Sequence, residues 1–160
     1  MTIAIRAMTK EDWPHVAEIY QQGMDGNQAT FQTKCPSYEE WDAAHHKICR
    51  FVAEENGEIV GWTTLMPYSS KAYYSGAAEV SLYIKDGHHR KGIGLALMNY
   101  QLTAAEQQGF WTITSLIMRD NQASVALHEK CGFRYIGYYE RLGCDRFGRW
   151  RDVVLMEKRF

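Results

Sequence analysis

One hundred and sixty residues, 46% hydrophobic and 13% aromatic, can fill the core of one domain spanning 1–160 and exclude a disordered tail protein. Eighteen basic against nineteen acidic side chains leave a net charge of -1, too little field to draw in nucleic acid or anionic lipid, so neither is expected as a partner. No apolar run reaches the roughly 18 residues of a membrane span and the stretch 1–12 lacks the apolar run of a signal peptide, which together lead to the expectation of a cytoplasmic protein.

Residues 2–7 alternate as a short strand, and Thr9 with Asp12 resembles a capping box opening a helix that places Val16, Ile19 and Tyr20 on one face. Residues 23–36 read as a long loop, after which Ser37 and Glu40 form a second capping box for a short helix through Lys47. Residues 51–53 and 58–66 are two strands joined at Asn56-Gly57, a strong hairpin signal. The next strand, 77–84, sets Ala78, Val80, Leu82 and Ile84 on one face and Glu79, Ser81 and Tyr83 on the other.

The most regular helix pattern runs over 91–108 and ends at Gly109. A strand over 111–117, a helix over 121–130 and an antiparallel pair over 133–139 and 151–156 complete the order βααβββαβαββ. The fold class this predicts is α/β (α+β): a mixed, mostly antiparallel sheet of six to seven strands with about four helices on both faces. Cys35, Cys49, Cys131 and Cys144 are spaced too widely for CxxC pairs and read as reduced, partly buried thiols. The pairs His45-His46 and His88-His89 are adjacent rather than spaced along one helix face, so ordinary surface histidines and no metal site are expected.

The sharpest local feature is His88-His89-Arg90-Lys91-Gly92-Ile93-Gly94, between a strand and the longest helix. Two glycines let backbone approach a ligand, the first helical N–H groups and the positive dipole end form an anion site, and Arg90 and Lys91 add charge. The spacing matches neither a P-loop nor a complete dinucleotide fingerprint, since Leu97 stands where the third glycine would be. A solvated basic turn is the plain alternative.

This loop resembles the acetyl-CoA motif Q/R-x-x-G-x-G/A of the GNAT superfamily of N-acetyltransferases. Asn121-Gln122-Ala123-Ser124, Leu127-His128-Glu129 and Gly132-Phe133 are similar to its second cofactor motif. Phe147-Gly148-Arg149-Trp150-Arg151-Asp152 is similar to the C-terminal signature of the phosphinothricin and methionine sulfoximine acetyltransferase branch. The likeness runs from Glu79 to the C-terminus and more loosely before it, through Ile5-Arg6, Asp12, Ile19-Tyr20 and Thr30-Phe31. Two positions depart from the general pattern: His89 replaces the loop's Gln or Arg, and His128 replaces the tyrosine that many members use to protonate the leaving thiolate.

The resemblance implies a GNAT fold, acetyl-CoA as cosubstrate, no metal, and acetyl transfer to the primary amine of a small molecule such as phosphinothricin or methionine sulfoximine. It also implies a homodimer, which agrees with aromatic Tyr138, Tyr139, Phe147 and Trp150 on the last strands. Acetylation of a polyamine or a protein N-terminus, or acyl-CoA binding without catalysis, stays open as an alternative.

An ammonium must lose a proton before its lone pair attacks a thioester, and Glu79 is the only acid on its strand, opposite the apolar row. The family match puts the general base there, with His128 as the candidate acid. Backbone N–H groups at Leu82, Tyr83 and Ile84 can meet the oxyanion and the pantetheine arm if this strand diverges from the one at 111–117. Arg90, Lys91, Gly92, Ile93, Gly94 and Leu95 would take the pyrophosphate. Asn121 and Lys130 would contact the rest of the cofactor, or act only as a helix cap and a dipole complement. For the acceptor the sequence offers Phe31, Trp62, Tyr73 and Tyr74 as aromatic walls, although core packing is the commoner use of such residues. Lys71 is the only cation between Pro67 and Ala78, and Arg149, from the same chain or a second subunit, is a candidate carboxylate partner.

Overall fold

In the computed structural model, which describes residues 2–160, the chain opens with β1 (Ile3–Ala7), a 3-10 turn over Lys10–Asp12 and α1 (Trp13–Asp25). Met1, part of the domain expected over 1–160, lies outside the described residues. The Asp12 carboxylate accepts the Thr9 N–H at 2.8 Å, as their spacing predicts, and is held by both ends of the Arg6 guanidinium at 2.7 and 2.8 Å. Pro14 falls in the first turn of α1, where its missing N–H costs nothing.

The second helix, α2 (Tyr38–Ala44), starts with reciprocal Ser37–Glu40 bonds at 3.2 Å. It stops short of the predicted Lys47 because the His45 ring bonds the Trp41 carbonyl through Nδ1 at 2.6 Å, taking the acceptor that the next helical N–H would use. His45 is buried against Trp41, centroids 4.7 Å apart, and His46 packs half-buried on Phe110. Both are core histidines, which corrects the expectation of surface residues.

The chain continues through β2 (Phe51–Glu55), β3 (Glu58–Pro67), a 3-10 turn over Ala72–Tyr74, β4 (Ala77–Ile84) and α3 (Ile93–Gln107). It ends with β5 (Thr112–Met118), α4 (Gln122–Lys130), β6 (Arg134–Cys144) and β7 (Trp150–Arg159). Asn56 and Gly57 have φ of 54° and 79°, as the predicted hairpin requires. The last two strands outrun their predicted ends because register shifts at Tyr135/Gly137 and Tyr139/Gly143 let the ribbon continue past residues that break the alternation.

The sheet order is β1-β2-β3-β4-β5-β7-β6, with β4–β5 the one parallel pair among the described residues. On one face α1 and α2 bury Val16, Ile19 and Trp41 against Val52 and Trp62, so Trp62 is core and no part of a substrate wall. On the other face α3 and α4 bury Met98, Leu102 and Val125 against Leu65, Val80 and Ile113. Full burial of a side chain such as Leu65 or Met98 stabilises by about 1.5–3 kcal/mol. Beyond β4 the α1 side of the sheet is open, with Leu116 of β5 43% exposed. Among the described residues no helix is long and apolar enough to cross a membrane.

Candidate active site

The centre of the sheet comes apart where β4 meets β5. The two strands are in register at Ala77–Thr112, Ala78–Ile113 and Glu79–Thr114, and no further, although β4 runs on to Ile84 and β5 to Met118. On its other side β4 stays paired with β3 to Ile84. Lys85 N–H donates to Val60 O at 2.8 Å and Tyr68 N–H to Ala77 O at 3.2 Å, which fixes the alternation: odd-numbered residues of β4 bond to β3. The N–H and C=O groups of Leu82 and Ile84 therefore face the gap. Tyr83, expected to join them, does not, because its backbone is turned to β3 opposite Trp62.

The gap opens toward the N-terminus of α3. Gly92 caps this helix in the left-handed region at φ 83°, which also explains why α3 starts two residues later than predicted. The first helical bond is from Ala96 N–H to Gly92 O, so the N–H groups of Ile93, Gly94 and Leu95 have no partner within the helix. The first turn carries no acidic residue, and a Cβ added at Gly92 would meet nothing within 4 Å. Unpaired donors, a positive dipole end and open space suit a pyrophosphate. Gly94 serves packing instead, since a Cβ there would stand 3.3 Å from Leu127 Cδ2 of α4. Arg90 (φ 63°) is exposed, and Lys91 lies 3.7 Å from Glu55.

On the α1 side of β4, Glu79 sits half-buried at the mouth of the gap, and burial pushes its carboxyl pKa up from the ordinary value. Tyr83 lies on the same face, stacked on Trp62 at 5.0 Å. Burial raises the Tyr83 phenol most, Tyr20 and the charge of Glu79 raise it further, and the Thr30 side chain works against the rise. Burial likewise pushes Tyr20 up to about 12, and Tyr20 donates to Gln32 Oε1. Both phenols stay protonated at neutral pH.

Within α4, His128 is buried, its Nδ1 is 2.7 Å from Ser124 O, and burial lowers its pKa. The neutral ring thus carries its proton on Nδ1, facing the carbonyl. Asn121 caps α4 by accepting Ser124 N–H at 3.3 Å and donates to Gln28 O at 3.3 Å. Lys130 is exposed in the last turn of the helix.

The expected acceptor residues fall into two groups. The Phe31 ring rests on Gly143 of β6, where a Cβ would stand 2.6 Å from ring atom Cζ. Tyr73 and Tyr74 are exposed in the turn before β4, 4.7 Å apart. Arg149 is not a free cation, because its Nε lies 3.1 Å from Asp145 Oδ2. Asp145 and Asn27, which nothing in the sequence marks, form a buried cluster with Arg151 of the C-terminal motif, between the β6–β7 turn and the α1–α2 loop. A depression of about 790 Å³ between α3 and the start of β2 contains none of the expected site residues. Among the described residues no group of three or more His, Cys, Asp or Glu is placed to hold a metal ion.

A parallel pair that splays over an anion-binding helix N-terminus defines a site for a CoA thioester. The chain belongs to the acetyltransferase (GNAT) family, whose profile matches residues 7–133, and it is an acetyl-CoA-dependent N-acetyltransferase with the fold the resemblance implies. It is 28% identical to a phosphinothricin N-acetyltransferase of Streptomyces coelicolor, over 98% of this chain and 95% of that protein. It is 26% identical to an L-methionine sulfoximine/L-methionine sulfone acetyltransferase of Pseudomonas paraeruginosa, over 98% and 94%. The crystal structure of a phosphinothricin acetyltransferase from Sinorhizobium meliloti in complex with AcCoA superposes with a TM-score of 0.91 at 26% identity, covering 100% of this chain and 89% of that one.

Proposed function

We propose that this enzyme acetylates the α-amino group of a small amino-acid analogue, of the phosphinothricin or methionine sulfoximine kind, with Glu79 as general base. The observation that carries the reading is the position of Glu79, half-buried on the open face where β4 and β5 separate. Its raised pKa narrows the gap to the ammonium it must deprotonate, directly or through water. The freed lone pair attacks the thioester carbonyl, and the negative charge that forms on oxygen meets the Leu82 and Ile84 N–H groups. The C–S bond then breaks, giving the amide and the CoA thiol.

The attacking nitrogen holds a second proton after the C–N bond forms, and water can relay it to the departing sulfur. His128 is a poor acid for this step: its one N–H is committed to Ser124 O and burial disfavours a second proton. The N–H groups of α3, with Arg90 and Lys91 at its mouth, hold the pyrophosphate. Asn121 and Lys130 stand at opposite ends of α4, the first as a cap and the second as a complement to the helix dipole. Phe31 and, from the other side, Tyr73 and Tyr74 line the approach of the amine.

A twofold dimer through β6 belongs to the same reading. This outermost strand is eleven residues long and leaves Tyr135, Ile136, Tyr138, Tyr139 and Leu142 exposed. A cytoplasmic location fits four free cysteines and a CoA substrate. The function is tested by thiol release from acetyl-CoA with a panel of amines. Turnover with phosphinothricin or methionine sulfoximine above simple alkylamines, polyamines and peptides is expected, and turnover with none of the amino acids overturns the assignment.

A further inference from the structure

The C-terminal motif 147–152 and the loop 26–37 are far apart in sequence, yet the structure ties them through one buried ion pair. Arg151 is 6% exposed and the Asp145 side chain 0%, their closest atoms 3.2 Å apart. Arg151 Nη1 also donates to Asn27 O at 2.9 Å, and Nη2 donates to Gln28 Oε1 and, at 2.9 Å, to Asp120 Oδ1. Asp145 accepts Asn27 Nδ2 at 3.1 Å on Oδ2, while its Oδ1 takes the Phe147 and Arg149 N–H groups at 2.9 and 3.0 Å. Burial alone would raise the Asp145 carboxyl, but these donors hold it well below the usual carboxylate range. Arg146 Nη2 donates to Asp25 O at 2.7 Å. Three residues beyond Gln28 the Phe31 ring fills the space above Gly143, and between them Thr30 Oγ1 accepts the Gln32 N–H at 3.1 Å.

We propose that Arg151 and Asp145 are positioning residues for the acceptor: they fix the loop at Asn27–Gln28 so that Thr30 and Phe31 form the wall facing Glu79, with Gly143 as the seat of the Phe31 ring. This rests on the acceptor site assigned above. A loop held only at its helical ends would have many conformations, and binding would have to order it at the expense of acceptor affinity. The ion pair removes that cost in advance, and a guanidinium with five donors suits the task, since it holds a carboxylate, a backbone carbonyl and an amide oxygen at once. The cluster's hydrogen bonds reach Asp120 and, through Gln28 O, Asn121 at the start of α4, but none is made to α3, so the pyrophosphate site at the α3 N-terminus does not depend on it.

The test uses the full chain with Arg151→Met and Gly143→Ala. Arg151→Met is expected to lose hydrogen-exchange protection at 27–32, to raise KM for the acceptor amine about tenfold or more, and to leave the acetyl-CoA dissociation constant within about twofold. Gly143→Ala keeps the ion pair but must displace the Phe31 ring, and is expected to raise acceptor KM several-fold at an unchanged melting temperature. It provides the readout if Arg151→Met fails to fold. Retained protection in a folded Arg151→Met protein, or unchanged acceptor KM in Gly143→Ala, overturns the proposal. If the wild type acetylates no amine, the acceptor reading fails, and exchange at 27–32 still decides whether the clamp exists.

Discussion

Glu79 and Thr114 are the last two residues at which β4 and β5 stay in register, so the one carboxylate of β4 stands where the sheet splits. An acid at this point is shielded by the strands behind it and open to the α1 side in front, which is why it is half-buried and its pKa raised. Glu79→Gln is expected to lower kcat by about 10²-fold or more with acetyl-CoA affinity little altered, the range for a positioned general base. The base must be ionised, so kcat/KM should fall as pH drops through the raised Glu79 pKa, above the ordinary glutamate range. Isothermal calorimetry and pH–rate profiles check both points. An acid limb unchanged in the Gln variant would remove Glu79 from the reaction.

The neutral His128 ring makes a different demand on the same profile. An acid with a lowered pKa would lose its proton below the ordinary 6.5, and the rate would decline as pH rises through that lowered value. No such decline is expected, and His128→Phe should cost less than Glu79→Gln. A descending limb there, abolished by His128→Phe, would restore the histidine as the acid.

Buried neutral histidines also couple stability to pH. His45 and His128 are each held below the ordinary 6.5, chiefly by burial, while each ring nitrogen bonded to a carbonyl works against the shift. The unfolded chain therefore binds more protons as pH falls, and the stability that these rings contribute is complete above about pH 6.5 and lost as pH drops through their folded values. Urea midpoints should be lower at pH 5.5 than at 7.5. Equal midpoints would mean the rings ionise in the fold as freely as outside it.

Local chemistry made the helix caps, the Asn56-Gly57 turn, the parity of β4 and the glycine loop legible in the sequence, because each depends on residues a few positions apart. The Glu79 face followed from period-2 alternation alone. What stayed hidden depends on contacts across the chain. Trp62 reads as a possible groove aromatic until Tyr20, Trp41 and Tyr83 close around it. Arg149 reads as a free cation until the turn brings Asp145 beneath it. Asp145 and Asn27 pair across 118 positions, and no local pattern marks either one. The repeated basic and aromatic residues of 147–152 were a visible signal, but Arg151 rather than Arg149 is the buried member.

The proposed dimer rests on the exposed edge of β6. An eleven-residue edge strand with Ile136 and Leu142 in solvent would invite indiscriminate pairing if left bare. Sedimentation velocity is expected to show a dimer at micromolar concentration, and Ile136→Lys with Leu142→Lys should shift it to monomer by placing like charges across the twofold axis. A wild-type monomer with full activity at that concentration would count decisively against the dimer.

Geometry and charge contribute separately at the N-terminus of α3, and variants can tell them apart. Gly92→Asp adds a Cβ at φ 83°, where side chains are strained, and a negative charge in the open space before the free N–H groups. Arg90→Ala and Lys91→Ala remove charge but keep the cradle, and Lys91 is already near Glu55. Gly92→Asp is expected to abolish acetyl-CoA binding, and each alanine variant to weaken it by less than about tenfold, the usual scale for exposed charges. Wild-type affinity should fall as salt rises, because exposed cations are screened within about 10 Å at 0.1 M ionic strength. Calorimetry with acetyl-CoA and dephospho-CoA reads all of these, with circular dichroism to verify folding. Normal binding by a folded Gly92→Asp protein would show that the pyrophosphate lies elsewhere, and the N-terminus of α3 would lose its role in the site.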